Sequence, residues 1–210
     1  VLYRTNSQSR AIEEALRRIN IKYKIVGGLS FYQRKEIKDL LAYMRVTVNP
    51  NDEASLKRII NLPKRGLGDS SVNKLLVVAN EQAKPIWEVL QEAHKHVPNR
   101  AANAIQDVVN LIKTVQMEVE RNDAFESANA IAKGSGLLRE LYSDKTVEGL
   151  SRYENVQELL NAVKEFVDSE DDRQPEQEPA DKALGSFLQE VTLITGMDAD
   201  DDDDNDKVTL

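Results

Sequence analysis

The chain has no cysteine, which removes disulfides and thiolate metal sites and leaves a reducing compartment compatible with the composition. No apolar run approaches the length of a membrane span, and none reads as a signal peptide. Aromatic residues are 5% of the total with a single tryptophan, Trp87, which has no basic neighbours and reads as core, not as a base-stacking platform. A phosphate-cradling G-x-x-x-x-G-K-[ST] loop is missing, as is a paired-acid magnesium site near a strand end, so these residues are not expected to hydrolyse ATP by themselves. His94 and His96 are spaced i,i+2 and splay across a helix. With no cysteine or third histidine they read as exposed, and no metal site is expected.

What is present is a core and a divided charge. Hydrophobic residues make up 40% of 210, enough to bury a sizeable interior in one or two domains. The formal charge of −8 is uneven. Residues 1–69 hold 14 Lys+Arg against 7 Asp+Glu, a net of +7, and residues 70–210 carry the remaining −15. The basic third can carry an electrostatic footprint for a polyanion, whereas the acidic remainder repels one.

Periodicity divides the chain in the same way. Val1–Thr5 and Tyr23–Val26 read as strands around a helix with Ile12, Ala15, Leu16 and Ile19 on one stripe, which predicts a βαβ unit with a parallel sheet. Two strands make no stable sheet alone, and Val208-Thr209-Leu210 reads as the start of a further strand. After Gly27-Gly28 the pattern is helical. Apolar stripes run through Ile37–Val48, Leu56–Ile60, Val72–Ala79, Ile86–Leu90, Ile105–Val119, Ala128–Ile131, Val156–Phe166 and Leu184–Ile194. Asp52 is a plausible cap, and Pro85 is suited to a first helical turn. Residues 168–181 and 198–206, the latter with seven aspartates, are too acidic to fold by themselves and are expected to be mobile. The start without methionine and the abrupt end predict a piece of a longer protein.

The most informative segment is Leu62-Pro63-Lys64-Arg65-Gly66-Leu67-Gly68-Asp69-Ser70. Gly66 and Gly68 can adopt positive φ and leave no Cβ in the way. Asp69 or Ser70 can cap the next helix, whose N-terminus favours phosphate. Lys64 and Arg65 place two cations ahead of the turn. The set reads as a hairpin contacting a nucleic-acid backbone without base preference, with Leu67 as a hydrophobic plug. The alternative is an ordinary glycine-rich turn with a basic flank.

Val1-Leu2-Tyr3-Arg4-Thr5-Asn6 with Gln8-Ser9-Arg10, then Val26-Gly27-Gly28, Phe31, Arg34 and Glu36-Ile37-Lys38-Asp39 form an ordered run. It continues through Arg58-Ile59-Ile60-Asn61, Pro63 and Arg65-Gly66-Leu67-Gly68, and later through Ser151-Arg152-Tyr153-Glu154-Asn155 with Glu158-Leu159. This run resembles superfamily-one DNA helicases of the UvrD, PcrA and Rep group. The resemblance implies a mainly α fold. Residues 1–27 and 207–210 would belong to a RecA-like motor domain, 2A, and residues 28–206 to an inserted helical domain, 2B. It implies a bacterial, cytoplasmic, ATP- and Mg²⁺-dependent 3′-to-5′ helicase in repair or replication. Its partners would be a duplex–single-strand junction, domains 1A, 1B and 2A, and repair or replication proteins, with no membrane.

By that resemblance Lys64 to Ser70 contact the duplex, while Arg4, Asn6 and Ser30 edge the single strand. Arg4 pairing with an acid and Asn6 capping a helix is an equal alternative, and Ser30 stands where many relatives carry Lys or Arg. Arg34, Glu36, Lys38 and Asp39 read as a hinge or interdomain ion network setting the 2B orientation, or as a solvated face with i,i+4 pairs, and Arg152, Glu154 and Asn155 read as a structural network near the domain boundary. Two other functions stay open. One is a regulatory swivel that docks proteins, and the other is a part of a helicase–nuclease.

Overall fold

The computed structural model describes residues 8–19, 21–25, 28–169, 181–197 and 208–209. Ten α-helices are described: α1 (Ser9–Arg18), α2 (Lys35–Val48), α3 (Glu53–Ile59), α4 (Asp69–Gln82), α5 (Ile86–Gln91), α6 (Asn99–Val119), α7 (Ala124–Gly134), α8 (Leu137–Ser143), α9 (Val147–Asp168) and α10 (Leu184–Met197). Two short strands, β1 (Tyr23–Lys24) and β2 (Val208–Thr209), pair in parallel with Tyr23 opposite Val208. The core lies between α2, α6, α7, α9 and α10. Ile37, Leu40, Ile105, Ile112, Ile131, Leu159 and Leu184 meet there, nearly or wholly removed from water. Their i, i+3, i+4 spacing puts each on the inner stripe of its helix. Trp87 is buried in the same cluster.

Local signals fix several helix ends. The Asp52 carboxylate accepts the Ser55 N–H at 3.0 Å and caps α3, and these hydrogen bonds outweigh the cost of burial to lower its pKa. Asp123 and Thr146 cap α7 and α9 in the same way. Pro85 stands at the N-cap of α5, one residue ahead of the position expected for it.

The predicted βαβ unit is corrected. The first described residues are helical, and the strand after α1 pairs with β2, from the other end of the chain. The candidate strand Val1–Thr5 lies outside the described residues. The segment Val208-Thr209-Leu210, read from the sequence as a further strand, supplies the partner: Tyr23 pairs with Val208 and Lys24 with Thr209. The orientation of α1 differs from expectation too. Its buried residues are Ser9, Arg10 and Glu13, all polar, while Ile12 and Leu16 are half-buried and Ile19 is 63% exposed.

Candidate nucleic-acid interface

Between α3 and α4 the chain reverses around one side chain. The Asn61 carbonyl oxygen accepts the backbone N–H of Arg65 at 2.9 Å and of Leu67 at 3.3 Å, while its amide donates to the Leu67 carbonyl at 2.8 Å. Gly66, at the exposed tip, has φ +72°, a conformation that costs a non-glycine residue about 1–2 kcal/mol. Leu67 points inward and is 5% exposed. Gly68 is the N-cap of α4 at φ −83°, so its value there is the missing side chain and not a left-handed conformation. Asp69 and Ser70 fall in the first turn of α4, past the cap position assigned to one of them by the sequence. Gly68, Asp69 and Ser70 are exposed, and no side chain caps that end.

Arg65 turns into the protein. Its Nη1 donates to the carbonyls of Ile59 (3.1 Å), Leu62 (2.7 Å) and Pro63 (3.2 Å), and its Nη2 to the Tyr43 hydroxyl (2.6 Å) and the Ser135 carbonyl (3.5 Å). The Tyr43 hydroxyl donates in turn to the Leu62 carbonyl. Burial pushes the Tyr43 phenol pKa up, against the lowering effect of Arg65. The chain leaving α3 offers the carbonyls of Ile59, Leu62 and Pro63, and one guanidinium bonds all three. Of the two cations expected at the turn, Lys64 alone is exposed.

A second glycine turn lies against the first. Gly136, at φ +82°, starts α8, and a Cβ there would sit 3.7 Å from the Pro63 ring. Pro63, Arg65, Ser135, Gly136, Arg139, Glu140 and Ser143 line an open groove between the two turns. On the other side, an Arg100 nitrogen lies 3.5 Å from where a Cβ on Gly66 would be.

The predicted charge network divides. Arg34 is buried, donates to the Asn155 carbonyl oxygen at 3.0 Å and the Ser9 hydroxyl at 2.6 Å, and lies over the Phe31 ring. The Asn155 amide donates to Glu36 at 2.6 Å, so buried Asn155 joins α9 to the start of α2, and Arg34 extends the link to α1 through Ser9. Asp39 pairs with Arg58 at 2.7 Å and ties α2 to α3; burial raises its pKa, with Arg58 opposing. Lys38 and Glu154 are exposed and outside this network, and Arg152 pairs locally with Glu148 on α9.

The sequence reading missed the partners of α1. Arg10 reaches Glu14 (2.7 Å), Glu158 (2.8 Å) and Glu165 (2.9 Å). Burial lowers its pKa, but these carboxylates outweigh burial and raise it. Fully buried Glu13 accepts the Phe31 N–H and the Tyr23 hydroxyl, and desolvation raises its pKa despite those bonds. The available signal was the i,i+4 spacing of Arg10 and Glu14 on one helix.

Arg4 and Asn6 lie outside the described residues. The Ser30 hydroxyl is buried without a hydrogen-bond partner among the described residues. His94 is exposed and His96 half-exposed. No group of three or more His, Asp or Glu among the described residues could hold a metal ion, and none of the helices described is long and apolar enough to cross a membrane.

The model of the UvrD-like helicase C-terminal domain matches residues 1–210. The chain belongs to the UvrD-like helicase family. It is 37% identical over 198 residues to DNA helicase II of Haemophilus influenzae, a match covering 93% of this chain and 26% of that protein. It is 37% identical over 199 residues to the ATP-dependent DNA helicase PcrA of Bacillus subtilis, covering 94% and 26%. With the PcrA helicase of Staphylococcus aureus strain Mu50 it shares 38% over 215 residues, covering 100% and 28%. This UvrD-like chain therefore spans about a quarter of the length of these relatives.

Proposed function

We propose that the chain is the duplex-contacting part of an ATP-dependent DNA helicase, moving 3′ to 5′ in repair or replication. The observation that carries the reading is the Asn61–Ser70 hairpin, with its exposed Gly66 tip, exposed Lys64, and uncapped α4 N-terminus behind Gly68. Leu67 and Arg65 anchor this surface from below, so it meets a partner preformed. Backbone N–H groups and one side-chain cation suit a phosphate backbone and carry no base preference.

Residues 28–206 are the helical insertion, 2B, and residues 1–27 and 207–210 belong to motor domain 2A. The parallel pairing of β1 with β2 supports this reading, because it returns the chain beside its starting point after the whole helical body. The half-buried Ile12 and Leu16 and exposed Ile19 then face the remainder of 2A. ATP and Mg²⁺ would be held elsewhere in the protein, since the residues here do not fit them, and no step of hydrolysis is derived from this chain. Its contribution is to hold the duplex while the motor pulls one strand. A second reading, a swivel that sets 2B orientation and docks repair proteins, is favoured by the polar seam of α1, because hydrogen-bonding groups can exchange their partners for water.

Duplex binding by the 210-residue chain, followed by fluorescence anisotropy, tests this. Gly68→Ala fits without strain, its Cβ lying 3.6 Å from the nearest atom, Ser70 Oγ. It is expected to weaken binding without lowering the melting temperature, and Lys64→Glu to weaken it for every sequence alike. Parent-like binding by both variants would sink the hairpin mechanism.

A further inference from the structure

Arg65 makes five inward hydrogen bonds, which leaves the hairpin short of one of its two sequence-adjacent cations. Two arginines distant in sequence stand beside the same loop. Arg100, at the start of α6, reaches to within 3.5 Å of the Cβ position of Gly66. Arg139, on α8, lines the groove that Pro63 and Gly136 share. Both are exposed, and neither has a hydrogen bond or ion pair among the described residues. Lys64 lies in the loop itself and is likewise exposed and unpaired among the described residues.

We propose that Arg100 and Arg139 are phosphate-binding residues that extend the hairpin's contact along a nucleic-acid backbone beyond Lys64. This rests on the duplex-contact reading and assigns its charge to residues from three separate elements. Unlike Arg65, these guanidiniums are not held by carbonyls, so their donors remain available to phosphate oxygens, which arginine binds through two parallel N–H bonds. Glu140 is the one carboxylate among the residues lining the same groove, alongside the Arg65 and Arg139 guanidiniums. Gly136 contributes no side chain to this groove, and a Cβ there would sit 3.7 Å from the Pro63 ring. The −15 charge of residues 70–210 makes the position of these two arginines beside the basic third decisive for any favourable local field.

The test is a salt series on the 210-residue chain with a fluorescent DNA duplex, comparing the parent with R100Q, R139Q, the double variant and K64Q, each checked by thermal melting. Three phosphate contacts predict a slope of log affinity against log salt of about −2.7, at about 0.9 per contact. Each arginine variant is expected to weaken binding several-fold at low salt, and the double variant to leave a slope of about −0.9 with the melting temperature unchanged. R100K and R139K, which keep the point charge, should restore the slope and only part of the affinity. If K64Q weakens binding while the double variant keeps parental affinity and slope, the proposal is overturned and the hairpin reading stands. If the parent binds no duplex, both fall.

Discussion

The helical body and the α1 seam are assembled by opposite chemistries. Between α2, α6, α7 and α9 the contact is apolar, with Ile37, Leu40, Ile112 and Leu159 at 0–1% exposure. Where α1 meets α9 and the chain entering α2, the buried side chains are Ser9, Arg10 and Glu13, answered by Arg34, Glu158, Glu165 and the Phe31 N–H. Apolar contact is non-directional and strengthens with area, so it makes a single body. A polar seam is directional, contributes little net stability, and is costly to leave half-paired. The body should therefore resist separation, and the seam should define one docked geometry while remaining able to open.

The largest effect that can sharpen this contrast is in the body. Ile112→Ala is expected to cost about 2–5 kcal/mol, because the lost contacts are joined by an unfilled cavity. Urea unfolding should show it as a lower midpoint for the whole chain, with the loss visible at every helix. A loss confined to α6 would break the picture of one cooperative core.

An intermediate effect is expected at the junction of body and seam. Asn155→Ala leaves an Arg34 donor and a Glu36 acceptor buried without their partner, at a cost of about 1–3 kcal/mol. Hydrogen exchange should report faster opening of α1 before any change in α6. Simultaneous, equal loosening of both would mean that the seam is simply part of the core.

The smallest effect is a dependence on pH. The docked state raises the pKa of Glu13 through burial, so it binds a proton more readily than the unfolded chain does. Its charged form therefore opposes folding above the raised value, and that opposition is relieved as pH falls from neutral toward the ordinary carboxylate range. Asp39 acts in the same direction, and Asp52, with its lowered pKa, in the opposite one. Glu13→Gln removes the Glu13 contribution alone. Its stability relative to the parent should be highest at neutral pH and decline on acidification, in denaturant titrations across that range. A relative stability that rises as pH falls would show that the hydrogen bonds to the carboxylate, and not its desolvation, dominate.

The parts legible in the sequence were those governed by local spacing. Stripes at i, i+3 and i+4 located the core faces of α2, α6 and α9, and Asp52 was legible as a cap because its partner is three residues away. The same reasoning failed for α1. Its apolar stripe is real, but the described neighbours offer hydrogen-bonding groups to its other face. At the hairpin, glycine spacing announced a turn with a backbone open to approach. It could not say that Arg65 would turn inward, because that also depends on acceptors brought in by the fold, Tyr43 22 residues away and Ser135 70 residues away. Arg100 and Arg139 carry no sequence signal for the same reason.

What the sequence determined by itself was thus the set of helices, the position of one exposed glycine turn, and the concentration of positive charge in the first third. Each follows from interactions over a few residues or from a simple count. The tertiary structure alone decided which cations face out, which face of α1 is buried, and which strand β1 pairs with directly. Those outcomes depend on hydrogen bonds between groups distant in sequence, whose strength is set by direction and burial, and neither exists until the chain has packed.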